Sequence, residues 1–140
     1  MRSKAVYIAA RYGRRLELRA LASAIRAHGV EVTSQWLDGA EEAGQGAAAA
    51  AQMDLDDVDR ADTLVFIGEP HGSANRGGGR WFEMGYAHAK GKRIIVVLAP
   101  LIGHHVAALG STPDGHESVF TFLPNMELVD SVEAAMRALL

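Results

Sequence analysis

Glu83 is the first residue in this chain whose type and setting suggest chemistry. It stands in Arg80-Trp81-Phe82-Glu83-Met84-Gly85-Tyr86, directly behind Gly77-Gly78-Gly79. Consecutive glycines let backbone come close to a ligand. A carboxylate near the first turn of a helix is favoured by the helix dipole. Held ionised beside a cleft, it can act as a nucleophile or a base. Local features alone favour the plainer reading, a glutamate placed by helix electrostatics. A second candidate is Arg11-Tyr12-Gly13-Arg14-Arg15. Three arginines beside a glycine, at a strand-to-helix junction, can hold a phosphate with help from exposed amides. They equally suit a solvated helix start, and the dinucleotide fingerprint G-x-G-x-x-G is absent. A third is Met53 to Asp62, where Asp54 and Asp57 share a stripe beside core-facing Leu55 and Val58. Most of its five aspartates suit a solvated acidic face.

Other chemistries find no support. The chain has no cysteine, which excludes disulfides, thiolate catalysis and thiolate metal sites. The six histidines, His28, His71, His88, His104, His105 and His116, show no H-E-x-x-H or comparable metal spacing. His104-His105 reads as a surface pair. There is no G-x-S-x-G for a serine nucleophile. No metal or cofactor is expected.

The elements that must position these residues alternate between apolar runs and helical periods. Ala5 to Ala9, Thr63 to Ile67 and Arg93 to Ala99 read as buried parallel strands. Arg14 to His28 carries Leu18, Leu21, Ala22 and Ile25 at the spacing of one helix face, with Gly29 as its stop. Val30, Val32, Ser34 and Trp36 alternate with polar residues and predict a second strand. Ala47 to Arg60 and Arg80 to Lys90 predict helices, with Gly91 ending the latter. Gly85 and Ala87 would let that helix pack close to the sheet. Pro100 to His116 reads as a long loop, Ser118 to Phe122 as a short fifth strand, and Ser131 to Leu140 as a helix capped by Ser131. This order implies a parallel sheet with helices on both sides and right-handed crossovers. Ligands then bind beyond the carboxyl ends of the strands.

Composition bounds the rest. The 140 residues fit one domain over 1–140, with 49% hydrophobic and 22% charged residues. A net charge of -3 gives no field for a nucleic acid polymer. No stretch approaches the roughly 20 apolar residues of a membrane span, and the N-terminus lacks the pattern of a signal peptide. A cytoplasmic location is expected.

Several blocks, taken in order, resemble the nucleoside 2-deoxyribosyltransferase family, including its short nucleotide N-glycosidase relatives. Val6-Tyr7-Ile8-Ala9 is similar to the first strand with its active-site tyrosine. Asp54-Leu55-x-x-Val58-x-x-x-Asp62 is similar to the block carrying a substrate-binding aspartate. Gly79-Arg80-Trp81-Phe82-Glu83-Met84-Gly85-Tyr86-Ala87 resembles the Glu-x-Gly-Tyr-Ala block with its glutamate nucleophile. Gly91 to Val97 resembles the strand after it. Glu117-Ser118-Val119-Phe120 is similar to a block inserted into a neighbouring subunit's site. The resemblance implies a flavodoxin-like or Rossmann-like three-layer sandwich with a five-stranded, mostly parallel sheet. It implies cleavage of the N-glycosidic bond of a 2′-deoxynucleoside or its 5′-monophosphate through a glycosyl ester on Glu83, ending on another base or on water. Tyr7 would orient Glu83. Asp54 would contact the sugar hydroxyls or the base, or hold a proton for the leaving nitrogen. Arg11, Arg14, Gly77, Gly79 and Ser118 would bind substrate, with Ser118 supplied across a homodimer or higher homo-oligomer. Trp81, Phe82 and Tyr86 are expected at that interface.

Two departures bear on the substrate. Gly77 stands six residues before Glu83, where transferases of free nucleosides carry aspartate. Ser118 stands where they carry asparagine. Ser118 and the Arg11-Tyr12-Gly13-Arg14-Arg15 loop lean toward a nucleotide hydrolase. The alternative is a nucleotide-binding sensor of the same fold that turns nothing over; a flavin carrier fits less well, for want of a Ser/Thr-rich phosphate cradle and of any redox residue.

Overall fold

The computed structural model describes residues 2–40, 46–69, 78–98 and 118–140. The expected loop over 100–116 and Gly77 lie outside them. The described elements are β1 (Ala5–Ala9), α1 (Arg15–Ala27), β2 (Glu31–Val32), α2 (Ala47–Arg60), β3 (Thr63–Ile67), α3 (Gly79–Ala89), β4 (Arg93–Val97), β5 (Met126–Val129) and α4 (Val132–Leu139). Short 3-10 turns cover Tyr12–Arg14, Gln35–Asp38 and Val119–Phe122.

The five strands form one parallel sheet in the order β2-β1-β3-β4-β5. Because β1, β3 and β4 are apolar apart from Thr63 and Arg93 at the starts of β3 and β4, they take the centre, buried on both faces. Ile8, Val65 and Ile95 are fully buried, and a side chain of this kind contributes about 1.5–3 kcal/mol relative to exposure. The chain leaves β1 toward β2 in one direction and β3 toward β4 in the other. Right-handed crossovers therefore put α1 on the opposite face from α2 and α3. The carboxyl ends of β1 and β3 flank the point where the order reverses, and a crevice opens there.

The apolar stripe of α1 is buried as its spacing requires: Leu18, Leu21, Ala22 and Ile25 all face the core. Gly29 and Gly91 adopt φ +82° and +72° at helix ends, where other residues are strained. Ser131 caps α4, its Oγ accepting from the Ala134 N–H at 3.0 Å.

Three expectations need correction. The second strand ends at Val32 rather than running through Trp36. Beyond it, side chains replace the ladder: Ser34 Oγ accepts from the Ile8 N–H at 2.6 Å, and Trp36 Nε1 donates to the Ile8 carbonyl at 2.9 Å. With both Ile8 groups satisfied, the chain is free to curl into Gln35–Asp38. The fifth strand is Met126–Val129, not Ser118 to Phe122. The latter is a turn, because Ser118 Oγ accepts from the Phe120 N–H at 3.3 Å and its carbonyl accepts from Thr121 Oγ1 at 2.9 Å. Finally, Ala87 packs into the core but Gly85 is exposed, with nothing among the described residues within 4 Å of where a Cβ would sit.

Candidate active site

Glu83 lies on the face of α3 that overhangs the crevice. Beneath it, Tyr7 is the third residue of β1 and has no exposure. The Tyr7 hydroxyl donates to Glu83 Oε2. Burial first, then the charges of Glu83 and Asp54, push the Tyr7 phenol far above its ordinary range, so it remains a neutral donor. Sequence separation here is 76 residues, and the strand-order reversal is what closes it.

A cavity of about 240 Å³ opens above this pair, lined by Ala10, Arg11, Tyr12, Trp36, Asp54, Gly79, Arg80 and Glu83. Four of the expected site residues therefore share one cavity: Glu83, Asp54, Arg11 and Gly79. Tyr7 joins them through its hydrogen bond. Among the described residues, an added Cβ at Gly79 would meet nothing within 4 Å. One wall is aromatic. Tyr12 and Trp36 have ring centroids 6.1 Å apart at 38°, and the Arg15 guanidinium lies 4.5 Å over Tyr12.

Arg14 lies elsewhere. It lines a neighbouring cavity of about 420 Å³ over the ends of β3 and β4, with Glu69, Asp130 and Ser131, and Arg11 borders both cavities. Glu69 is 5% exposed and takes both arginines, from Arg11 Nε at 2.7 Å and Arg14 Nη1 at 2.9 Å. Arg14 also donates from Nε to Glu17 at 2.7 Å, and that bond holds the Glu17 carboxyl below its usual range. Gly13 leaves the room that the Arg11 guanidinium occupies, since a Cβ there would stand 2.7 Å from Arg11 Nη1. Ser118 is not at the Glu83 cavity of its own chain. It caps the Val119–Phe122 turn, beside an apolar groove lined by Trp81, Phe82, Met84, Phe120, Leu123 and Met126.

Several residues at the site escape a reading of sequence alone. Trp36 was hidden by the apparent strand alternation. Glu69 follows β3 by two residues, and its place at a strand's carboxyl end was the available signal. Asp57 is a buried support: it accepts from the Gln35 N–H at 3.1 Å, Gln35 Nε2 at 2.8 Å and Arg60 Nη2 at 2.6 Å, fixing the turn that carries Trp36. Arg80, three residues before Glu83, had no such signal beyond its spacing. Among the described residues, no three or more His, Asp or Glu side chains are grouped to hold a metal ion, and no helix is long and apolar enough to cross a membrane.

A parallel 2-1-3-4-5 sheet with a tyrosine-supported glutamate at its reversal point defines an α/β domain with an acidic cleft at the switch of strand order. The family model for nucleoside 2-deoxyribosyltransferase matches residues 6–121, and the chain belongs to that family of enzymes, which act in general by deoxyribosyl transfer or N-glycosidic cleavage on small nucleosides or nucleotides. No curated protein sequence matches it. Among solved structures, it is similar to the CMP N-glycosidase BcmB of Clostridium botulinum, at 18% identity and TM-score 0.63 over 97% of this chain and 98% of that one. It is similar to the 2-desoxiribosyltransferase of Leishmania mexicana, at 18% identity and TM-score 0.69 over 96% and 95%. A conserved protein of Enterococcus faecalis V583 aligns at 19% identity and TM-score 0.72 over 97% and 96%. At such identities these structures establish a shared fold.

Proposed function

We propose that the enzyme cleaves the N-glycosidic bond of a 2′-deoxynucleoside 5′-monophosphate through a covalent intermediate on Glu83. The observation that carries this reading is the buried Tyr7 hydroxyl donating to a half-buried carboxylate that lines a cavity. A Glu83 oxygen attacks the anomeric carbon, and the bond from that carbon to the base nitrogen breaks. The base leaves with the bonding electrons and takes a proton from solvent, while the sugar remains as an ester. Attack of water on the anomeric carbon frees deoxyribose 5-phosphate and regenerates the carboxylate; attack by a second base gives transfer. Positive charge develops on the sugar in both steps, and the carboxylate stabilises it. Tyr7 fixes the orientation of Glu83 through its hydrogen bond to Oε2. Asp54 accepts from a sugar hydroxyl or a donor of the base. Tyr12 and Trp36 offer the base an aromatic wall.

The 5′-phosphate falls to Arg11, which borders both cavities and is held by Glu69 through Nε. Arg14, engaged by Glu17, Glu69 and the Gly68 carbonyl, buttresses that arrangement. Gly79 lets the substrate approach α3, and Ser118 reaches the site from a second copy seated on the apolar groove. The test is chromatography of bases released from nucleosides and their 5′-monophosphates, with and without a second free base. Monophosphates should be cleaved preferentially. Arg11→Ala should weaken cleavage of the monophosphate by about 1.5–3 kcal/mol, the worth of a hydrogen bond to a charged group, and leave the nucleoside nearly unaffected. Equal losses on both would remove the phosphate assignment.

A further inference from the structure

Arg80 shares the cavity with Glu83 and lies three residues earlier on α3, on the same helix face. At 1% exposure it is first among the largest fully buried side chains of the described residues. Its guanidinium carbon sits 4.9 Å from the Phe66 ring centroid and 5.2 Å from that of Trp81. Phe66 is a residue of β3 and is fully buried. The cation is therefore anchored against the sheet rather than hanging in solvent. Burying a guanidinium is costly unless negative charge faces it, and this cavity supplies two carboxylates.

The charged and titratable groups around Glu83 come from every neighbouring element. Tyr7 from β1 is neutral and donates to it. Asp54 from α2 lines the same cavity, and Asp57 behind it is paired with Arg60. Arg11, from the segment after β1, is paired with Glu69. Arg80 comes from α3 itself. Two carboxylates in one cavity oppose each other's ionisation, and a cation within a few ångströms relieves that opposition. Arg11 is paired with Glu69 and Arg60 with Asp57, and Arg80 lines the cavity wall together with Glu83 and Asp54.

We propose that Arg80 is a positioning residue, a fixed buried cation that lets Glu83 and Asp54 both carry negative charge in one cavity and so extends to lower pH the range over which Glu83 attacks. The inference rests on the reading of Glu83 as nucleophile for its effect on rate, but its electrostatic core is measurable without turnover. Arg80→Met and Arg80→Lys are compared with the parent protein in two ways. In the pH profile of base release, Arg80→Met should move the acid limb upward by about 1–2 pH units, with most activity regained on the alkaline side, and Arg80→Lys should return the limb close to its original place. A purely structural role would lower the rate at every pH alike. In thermal unfolding near neutral pH, Arg80→Met should be less damaging in a Glu83→Gln background, with non-additivity of at least about 3 °C. Additive melting temperatures overturn the proposal, whatever the protein cleaves. An acid limb that stays put in Arg80→Met, or that moves equally in Arg80→Lys, also overturns it. Should Arg80→Met fail to fold, the lysine variant decides, since the proposal requires it to keep the acid limb. Absence of base release from the parent protein would remove the nucleophile reading and leave the melting cycle to decide the charge coupling.

Discussion

Tyr7 gains its role from position. A phenol with no exposure, donating to a carboxylate, releases its proton far less readily than in the unfolded chain, where its value is near 10. The sign follows from linkage: a folded-state value raised above the unfolded one contributes stability that is complete below about pH 10 and lost as pH rises beyond it. Tyr7→Phe should therefore flatten the fall in melting temperature between about pH 9 and pH 11; an unchanged alkaline slope would show that Tyr7 is not the group responsible. Legibility at this scale was uneven. Glu83 and Arg11 were nameable from their local settings, while Tyr7, Asp54 and Gly79 were assigned to the site through the family resemblance. Glu69 and Arg80 were not singled out, since Glu69 offered only its place after β3 and Arg80 only its spacing before Glu83; the folded chain shows that one clamps two arginines and the other lies buried against Phe66.

Elements with a strong period or an unbroken apolar run were readable almost to the residue: β1, β3, α1, α2 and α4 fall where their sequences place them. The two short edge elements were not. Alternation through Trp36 mimics a strand, yet Ser34 and Trp36 use their side chains to satisfy Ile8 and end the ladder. Val119-Phe120 is apolar enough for a strand, but a serine and a threonine beside it bond the local backbone and turn it. Ser34→Ala tests the first point. It strips a buried N–H of its acceptor on the strand that holds Tyr7, and should cost about 1–3 kcal/mol in urea denaturation. A change below about 0.5 kcal/mol would mean that Ile8 finds another partner.

For the molecule as a whole, the reversal of strand order between β1 and β3 gathers residues from β1, α2 and α3 into one cleft. A second feature of the whole surface is the apolar groove beside α3, where Phe82 is 67% and Phe120 60% exposed. Large apolar side chains clustered at one place mark an interaction site, and a second copy seated there would bring its own Ser118 segment near α3. Phe82→Asp combined with Phe120→Asp should convert the protein to monomer in light scattering and reduce base release with it. A parent protein that is already monomeric and fully active would contradict the shared-site reading. The overall architecture was legible because alternating apolar runs and helical periods admit few parallel topologies. The cleft's interior was not, because it is assembled from side chains separated by tens of residues. The central claim is that Glu83 forms the bond to the sugar, and base release by purified Glu83→Gln tests it most directly. The account expects a folded protein, with the parent's melting behaviour, that releases no measurable base from any deoxynucleoside or 5′-monophosphate the parent cleaves; release near the parent rate would contradict it.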